Sequence, residues 1–216
     1  MSHWVKVRRR MLMNQGVHVD VASLVFSFTG TWTDTTMEIG GAPYRVLQLK
    51  SAGTLTMDEQ MVDYSVPFDV WCVRQGDKGE KGKSTLSGSA SGGRHLGCTE
   101  GGASASDALR RRTAADGADG AKGGWDFAEN VTASAMTYAV SVGIPASLGD
   151  ILSVSGTSRS GTAWFSLPSS NNGAGGAGGD GAEEETCKYC GESWDTPARN
   201  GDNGKPGIVV IRIPIE

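Results

Sequence analysis

Apolar and polar residues alternate along several short stretches of this chain, and glycine fills much of what lies between. Val17, Val19 and Val21 alternate with His18 and Asp20, and Leu24, Phe26 and Phe28 continue at the same period. A period of two is that of a half-buried strand. Tyr44 to Leu49 and Thr54 to Met57 flank Ser51-Ala52-Gly53, which reads as a hairpin with glycine in the left-handed position of its loop. The longest alternation runs from Val62 to Val73. It places Val62, Tyr64, Val66, Phe68, Val70 and Cys72 on one face, with Pro67 marking an edge or a bulge. Further strands are predicted at Tyr138–Val142, Ile151–Val154, Ala163–Leu167 and Ile208–Ile215. In the last of these Val209, Ile211, Ile213 and Ile215 share a face, so this segment is expected to dock into a sheet. Ser106–Ala115, with good helix formers behind a capping serine, predicts one or two helical turns.

Four tracts between these strands carry glycine at every third residue: GDKGEKG from Gly76, GADGAKG from Gly117, GAGGAGG from Gly173 and GDNGKPG from Gly201. Triplet spacing suits three-fold extended helices, because only glycine fits where such helices touch along a common face. Flexible linkers are the competing reading. The shared phase favours packed, polyglycine-II-like extended segments. The fold class expected is therefore mainly β: an antiparallel sheet or sandwich with glycine-rich segments and very little helix. The shift in composition at Gly76 divides the chain into a β-domain over 1–75, with an N-terminal attachment segment, and a glycine-rich domain over 76–216 that closes on a strand.

Composition narrows the function. The apolar fraction is 38% and there are 32 glycines, so a conventional core cannot run through the whole chain. Net charge is −4, which favours neither nucleic acid nor an anionic membrane as partner. Arg8–Arg10 and Arg110–Arg112 are basic runs without interleaved aromatics, and they read as solvated surface, as does Glu183-Glu184-Glu185. The N-terminus has no apolar run or small-residue cleavage site of a secretory signal, and no stretch is long and apolar enough to cross a membrane as a helix. Synthesis and folding in a cytoplasm are expected. Short Gly-x-y segments do not offset their ordering entropy alone, so self-association, as a homotrimer, is expected too.

The segment FTGTWTDTTMEIGGAPYRVLQLKSAGTLTM, from Phe28 to Met57, followed by VPFDVWCVRQGDKG, from Val66 to Gly79, resembles the start of the glycine-rich domain of phage tail and prophage minor structural proteins. Tyr138-Ala139-Val140-Ser141-Val142-Gly143 resembles a strand inside that domain, and Gly201 through Ile213 resembles its end. The matched segments stand in the family's order. The resemblance implies a virion protein of the distal tail, a tip, fibre or baseplate component, made in the host cytoplasm. Its partners would be other tail proteins and a host-surface receptor. Related adhesins pack polyglycine helices whose loop tips touch the host. This chain departs from that pattern in its interrupted, charged tracts, while residues 1–27 lie outside the match and suit attachment to the rest of a tail.

The candidate chemistry is sparse. His95-x-x-Cys98 and Cys187-x-x-Cys190 form two pairs at zinc-knuckle spacing, a Cys3His set that would hold a structural zinc, with free thiols and a disulfide as the alternatives. Cys72 alternates with apolar residues and reads as a buried small side chain. His3 and His18 belong to no nucleophile or metallohydrolase motif, and no phosphate-binding glycine loop is present, so an enzyme is disfavoured. Trp125, Tyr189 and Trp194 sit in glycine-rich surroundings, where flat aromatic faces would suit binding of sugars or protein surfaces. The alternative is that they anchor loops onto a sheet.

Overall fold

The computed structural model describes residues 19–91, 109–158, 172–187 and 193–215. The protein is mainly β, with 41% strand against 3% helix, and its strands form three antiparallel sheets. The chain divides into two compact units. The first takes Met1–Gly76, Lys122–Ala174 and Lys205–Glu216; the second takes Asp77–Ala121 and Gly175–Gly204. Both units are thus discontinuous, and the division expected at 75/76 from composition cuts through the first. Strands on either side of it are hydrogen-bonded neighbours.

The first unit is built on two five-stranded sheets. One contains β1 (Ser27–Phe28), β4 (Gly53–Thr56), β9 (Thr137–Val142), β10 (Ala146–Leu148) and β11 (Leu152–Val154), in that order. The other runs β2 (Trp32–Ile39), β3 (Ala42–Leu49), β14 (Ile208–Pro214), β5 (Phe68–Val73), β8 (Trp125–Val131). Leu47, Leu49, Phe68, Val70, Val209, Ile211 and Ile213 from the second sheet meet Leu55, Tyr138, Val140, Ala146 and Leu148 from the first in one buried cluster. The β14 alternation places Val209, Ile211 and Ile213 there as expected. It also places Ile208 and Val210 in a second apolar cluster, with Tyr44, Val46, Trp71, Val73 and Trp125. Both faces of this strand are buried because it is central in its sheet.

Local chemistry explains where the strands begin and end. Gly40 and Gly41, at φ +60° and +80°, form the two-residue turn between Ile39 and Ala42 that joins β2 to β3. A two-residue hairpin loop of this type needs positive φ at both positions, which glycine supplies without strain. The hairpin expected across Ser51-Ala52-Gly53 is absent, since β3 and β4 belong to different sheets and this segment passes between them. The alternation from Val62 to Val73 is likewise not one strand. Asp58 caps a short helix, α1 (Glu59–Asp63), by accepting from the N–H of Gln60, and Met61 is driven into the core. The strand starts only at Phe68, after Pro67. Val19, Val21, Leu24 and Phe26 are buried, but the segment turns at 21–23 and forms a strand only at Ser27–Phe28. Val17 and His18, and the strand predicted at Ala163–Leu167, lie outside the described residues.

The second unit has a different plan. Its sheet has the order β13 (Ser193–Thr196), β12 (Glu183–Cys187), β7 (Leu109–Thr113), β6 (Ser87–Ser91). The helix predicted over Ser106–Ala115 is overridden, because Leu109–Thr113 pairs with strands on both sides. The rest of the unit is four extended segments of residues 77–83, 114–121, 175–182 and 199–204, joined by backbone hydrogen bonds that recur every third residue. The N–H groups of Asp77, Glu80 and Lys83 donate to Ala121, Ala118 and Ala115 of the second segment. Those of Gly79 and Gly82 donate to Asp202 and Arg199 of the fourth. Ala114, Gly117 and Gly120 donate to Ala182, Gly179 and Gly176; Gly176, Gly179 and Ala182 donate to Asp77, Glu80 and Lys83. The first and third segments are parallel, and the other two run antiparallel to them. Glycine is required by the closeness of the contacts. A Cβ on Gly79 would lie 1.9 Å from the carbonyl oxygen of Ala177, and one on Gly117 2.2 Å from that of Glu80. In the first unit the same triplet pattern continues, with Gly76 donating to Lys205 and Gly123 to Gly173.

Candidate functional site

In the second unit as a whole Ala114 is the one buried apolar residue among those whose side chains are described, and the strands of the unit's sheet pair by backbone ladders. Its register sets Arg112 opposite Glu184, Arg111 opposite Glu185 and Arg110 opposite Thr186. Arg112 Nη1 lies 3.6 Å from Glu184 Oε2. The basic and acidic runs, about seventy residues apart, are therefore cross-strand partners. Opposite charges facing each other on neighbouring strands contribute about 0.2–1 kcal/mol per pair.

The same register fixes which end of the sheet the cysteines belong to. Cys187 ends β12 opposite Leu109 at the start of β7, Ser91 ends β6 opposite Arg110, and Ser193 starts β13 opposite Thr186. The connections 92–108 and 188–192 thus leave and return at one end. His95 and Cys98 fall within the first, and Tyr189 and Cys190 within the second, and all four lie outside the described residues. No group of three or more metal-ligating side chains occurs among the described residues. Cys72 is buried, and burial followed by the nearby Asp126 charge pushes its thiol up to about 12. It is an inert core side chain, as its place in the alternation implied.

The three aromatic candidates part company. Trp125 is not an exposed loop residue. It opens β8, is 8% exposed, meets Trp71 edge-on with ring centroids 6.0 Å apart and stacks on Phe127. Its neighbours Gly123 and Gly124 lie in close backbone contacts, which is why the residue after them reaches the sheet. Trp194 lies in the edge strand β13 opposite Glu185 and is partly buried. Tyr189 is outside the described residues.

Two polar clusters in the first unit carried no signal in the sequence. Arg212 Nε is 2.7 Å from Asp69 Oδ2 in a pair that is almost fully buried, and Arg212 Nη2 is 3.3 Å from Glu129. Asp69 also accepts from the N–H of Asn130 at 2.7 Å, and the guanidinium lies 5.1 Å from the Tyr44 ring centroid. Asp69 sits at the register shift between β5 and β8, so this cluster ties the irregularity to β14. Arg45 makes the second cluster. It pairs with Asp34 at 2.6 Å, donates to the carbonyls of Val21 and Leu24 at 2.9 and 2.6 Å, and lies 4.8 Å from the Phe26 ring centroid. Asp58 accepts from the N–H of Val25 at 2.7 Å, which together with the Gln60 bonds and the Arg45 charge holds its carboxyl below the ordinary value against the opposing effect of burial. These groups fasten residues 19–28 to the sheets.

Compared with known proteins, the chain matches no family model, no curated protein and no solved structure.

Proposed function

We propose that this protein is a phage virion tail component of the tip, fibre or baseplate class, acting by contact with the host surface and without catalysis. The observation that carries the reading is the second unit, in which short glycine tracts hold one another by backbone hydrogen bonds every third residue. An extended scaffold of this kind, with almost no apolar core, suits the display of loops for contact. The sequence segments that resemble the tail-protein glycine-rich domain support it. Residues 1–27, outside the segments that resemble the tail-protein domain, would suit attachment to the rest of the tail, and a homotrimer is the assembly proposed. Tyr189 and Trp194 are the aromatic contact residues, while Trp125, packed in the sheet, serves the fold.

A structural zinc on His95, Cys98, Cys187 and Cys190 is proposed at the end of the second unit's sheet where connections 92–108 and 188–192 begin and finish. Elemental analysis of purified protein should find about one zinc per chain, lost in Cys187→Ser; metal-free wild-type protein of unchanged stability would remove the zinc from the proposal.

Immunogold labelling of virions with antibody to this chain tests the main reading. Gold at the distal tail is expected, and virions that carry none would overturn it. Purified protein should also reduce adsorption of the same phage to its host. A labelled tail with unimpaired adsorption would favour a subunit whose glycine tracts serve packing within the tail.

A further inference from the structure

We infer that Asn200 and Asn203 are sites at which the folded protein modifies itself, by deamidation through a succinimide, and that the isoaspartate formed there breaks the register of the glycine bundle. The inference rests on backbone hydrogen bonds and stands apart from the tail assignment.

An asparagine or aspartate followed by glycine is where a backbone nitrogen most readily attacks a side-chain carbonyl, because glycine has no Cβ to obstruct the approach. The chain has such pairs at residues 116–117, 119–120, 172–173, 180–181, 200–201 and 203–204. In four of these six the attacking nitrogen is already engaged. Gly117 N–H donates to the Gly179 carbonyl at 2.8 Å, Gly120 to that of Gly176 at 2.7 Å and Gly173 to that of Pro206 at 2.9 Å. Gly181 N–H donates to Asp116 Oδ1 at 2.8 Å. The N–H groups of Gly201 and Gly204 have no acceptor among the described residues, and these two glycines follow Asn200 and Asn203.

The triplet pattern explains the difference. Arg199 and Asp202 both donate and accept: their N–H groups reach the carbonyls of Asp180 and Ala177 at 2.9 and 2.8 Å, and their own carbonyls take the N–H groups of Gly82 and Gly79 at 3.0 and 2.9 Å. Lys205 N–H donates to Ala174 at 2.8 Å. These bonds pin the peptide planes before Asn200, after Gly201, before Asn203 and after Gly204. The planes joining Asn200 to Gly201 and Asn203 to Gly204 carry no bond among the described residues, and these are the planes that must turn for the reaction. Asn200 and Asn203 are exposed, so water reaches the side-chain amides.

The chemistry needs only water. The Gly201 nitrogen gives up its proton and bonds to Asn200 Cγ; the Cγ–Nδ2 bond breaks, and Nδ2 leaves with that proton as ammonia. Water then opens the succinimide. Attack at the side-chain carbonyl gives aspartate, while attack at the main-chain carbonyl leaves the backbone running through Cγ, longer by a methylene carbon. The same steps apply at Asn203 and Gly204. A segment bonded to its neighbours at every third residue cannot absorb that extra length, so Arg199 and Asp202 cannot both keep their partners.

Peptide mapping by mass spectrometry, with fragmentation that separates aspartate from isoaspartate, follows Asn172, Asn200 and Asn203 in wild-type protein aged in mildly alkaline buffer, native and in urea. Dividing each native rate by its rate in urea removes the effect of local sequence. Asn200 and Asn203 should then stand about tenfold above Asn172, the factor that one net hydrogen bond at Gly173 supplies; three equal ratios would overturn the inference. Amide exchange reads the consequence. Isoaspartyl protein should lose protection at Gly79 and Gly82. Asn200→Gln/Asn203→Gln, which can close only a larger and slower ring, should keep that protection through the same ageing. Undiminished protection in the isoaspartyl protein, or equal loss in the glutamine variant, would sink the claim about register, and the rate ratios in wild type decide the sites even if the variant failed to fold.

Discussion

The two units satisfy the same requirement by opposite means. Every buried backbone group needs a partner, and in the sandwich that need is met by strand ladders whose side chains fill the space between and behind the sheets. In the second unit the segments meet through glycines, at distances where a Cβ would fall about 2 Å from a neighbouring carbonyl. The difference teaches which substitutions each unit can tolerate. The sandwich is vulnerable to loss of volume, because a cavity forfeits both transfer energy and contacts. The bundle is vulnerable to gain of volume, since one methyl group has no space to enter.

The most damaging test of that contrast is Gly79→Ala, whose Cβ would sit 1.9 Å from the Ala177 oxygen with only backbone around it. The cost should exceed the ~3 kcal/mol usual for overpacked side chains. Amide protection should vanish from residues 114–121 and 175–182 and persist at Val46 and Ile211. Lys78→Ala, an exposed position one residue away, should stay within about 0.5 kcal/mol of wild type; equal damage by both would break the comparison. Next is Phe68→Ala, at a fully buried core position, which should cost about 3–5 kcal/mol by chemical denaturation while leaving protection of the Gly176 and Gly179 amides intact. The smallest effect is that of Asp58. Its folded carboxyl titrates below the ordinary 3.8, chiefly because of the Val25 N–H, so its stabilisation is fully present above that value and fades as pH falls through the lower folded one. Asp58→Asn should therefore lower Tm at pH 7 and flatten the acid limb of Tm against pH, with the two proteins converging once the folded carboxyl is protonated. Parallel acid limbs would show that the carboxylate is not the link between α1 and the N-terminal segment.

What the sequence revealed followed from how local each signal is. The β14 alternation and the triplet phase of the glycine tracts are patterns within a few residues, and each locates its element. The apolar run from Val62 to Val73 misleads because Asp58, outside it, starts a helix that takes up Met61 and Val62 before the strand begins. The break at 75/76 follows composition, whereas the units follow pairing: β3 and β5 both bond to β14, across most of the chain. The charged runs were readable singly as solvated surface, and their complementarity shows only when Arg110–Arg112 and Glu183–Glu185 are aligned antiparallel, where tertiary pairing overrides the helix propensity of the basic run. The Asn-Gly pairs stand in the sequence, but their reactivity depends on which glycine N–H is bonded in the fold.

The position of β14 also bears on how the protein is made. It lies between β3 and β5, and the Arg212–Asp69 pair joins residues 143 apart in sequence. During synthesis every other strand emerges from the ribosome before β14 does. Until residue 208 and those after it are free, β3 and β5 each present an open, apolar edge, and the sheet has a gap where its middle belongs. Closure over so long a loop is slow, and the waiting edges are sites for pairing with the wrong chain. Yield from rapid overexpression should therefore depend on temperature and chaperone supply more than on the stability of the finished molecule.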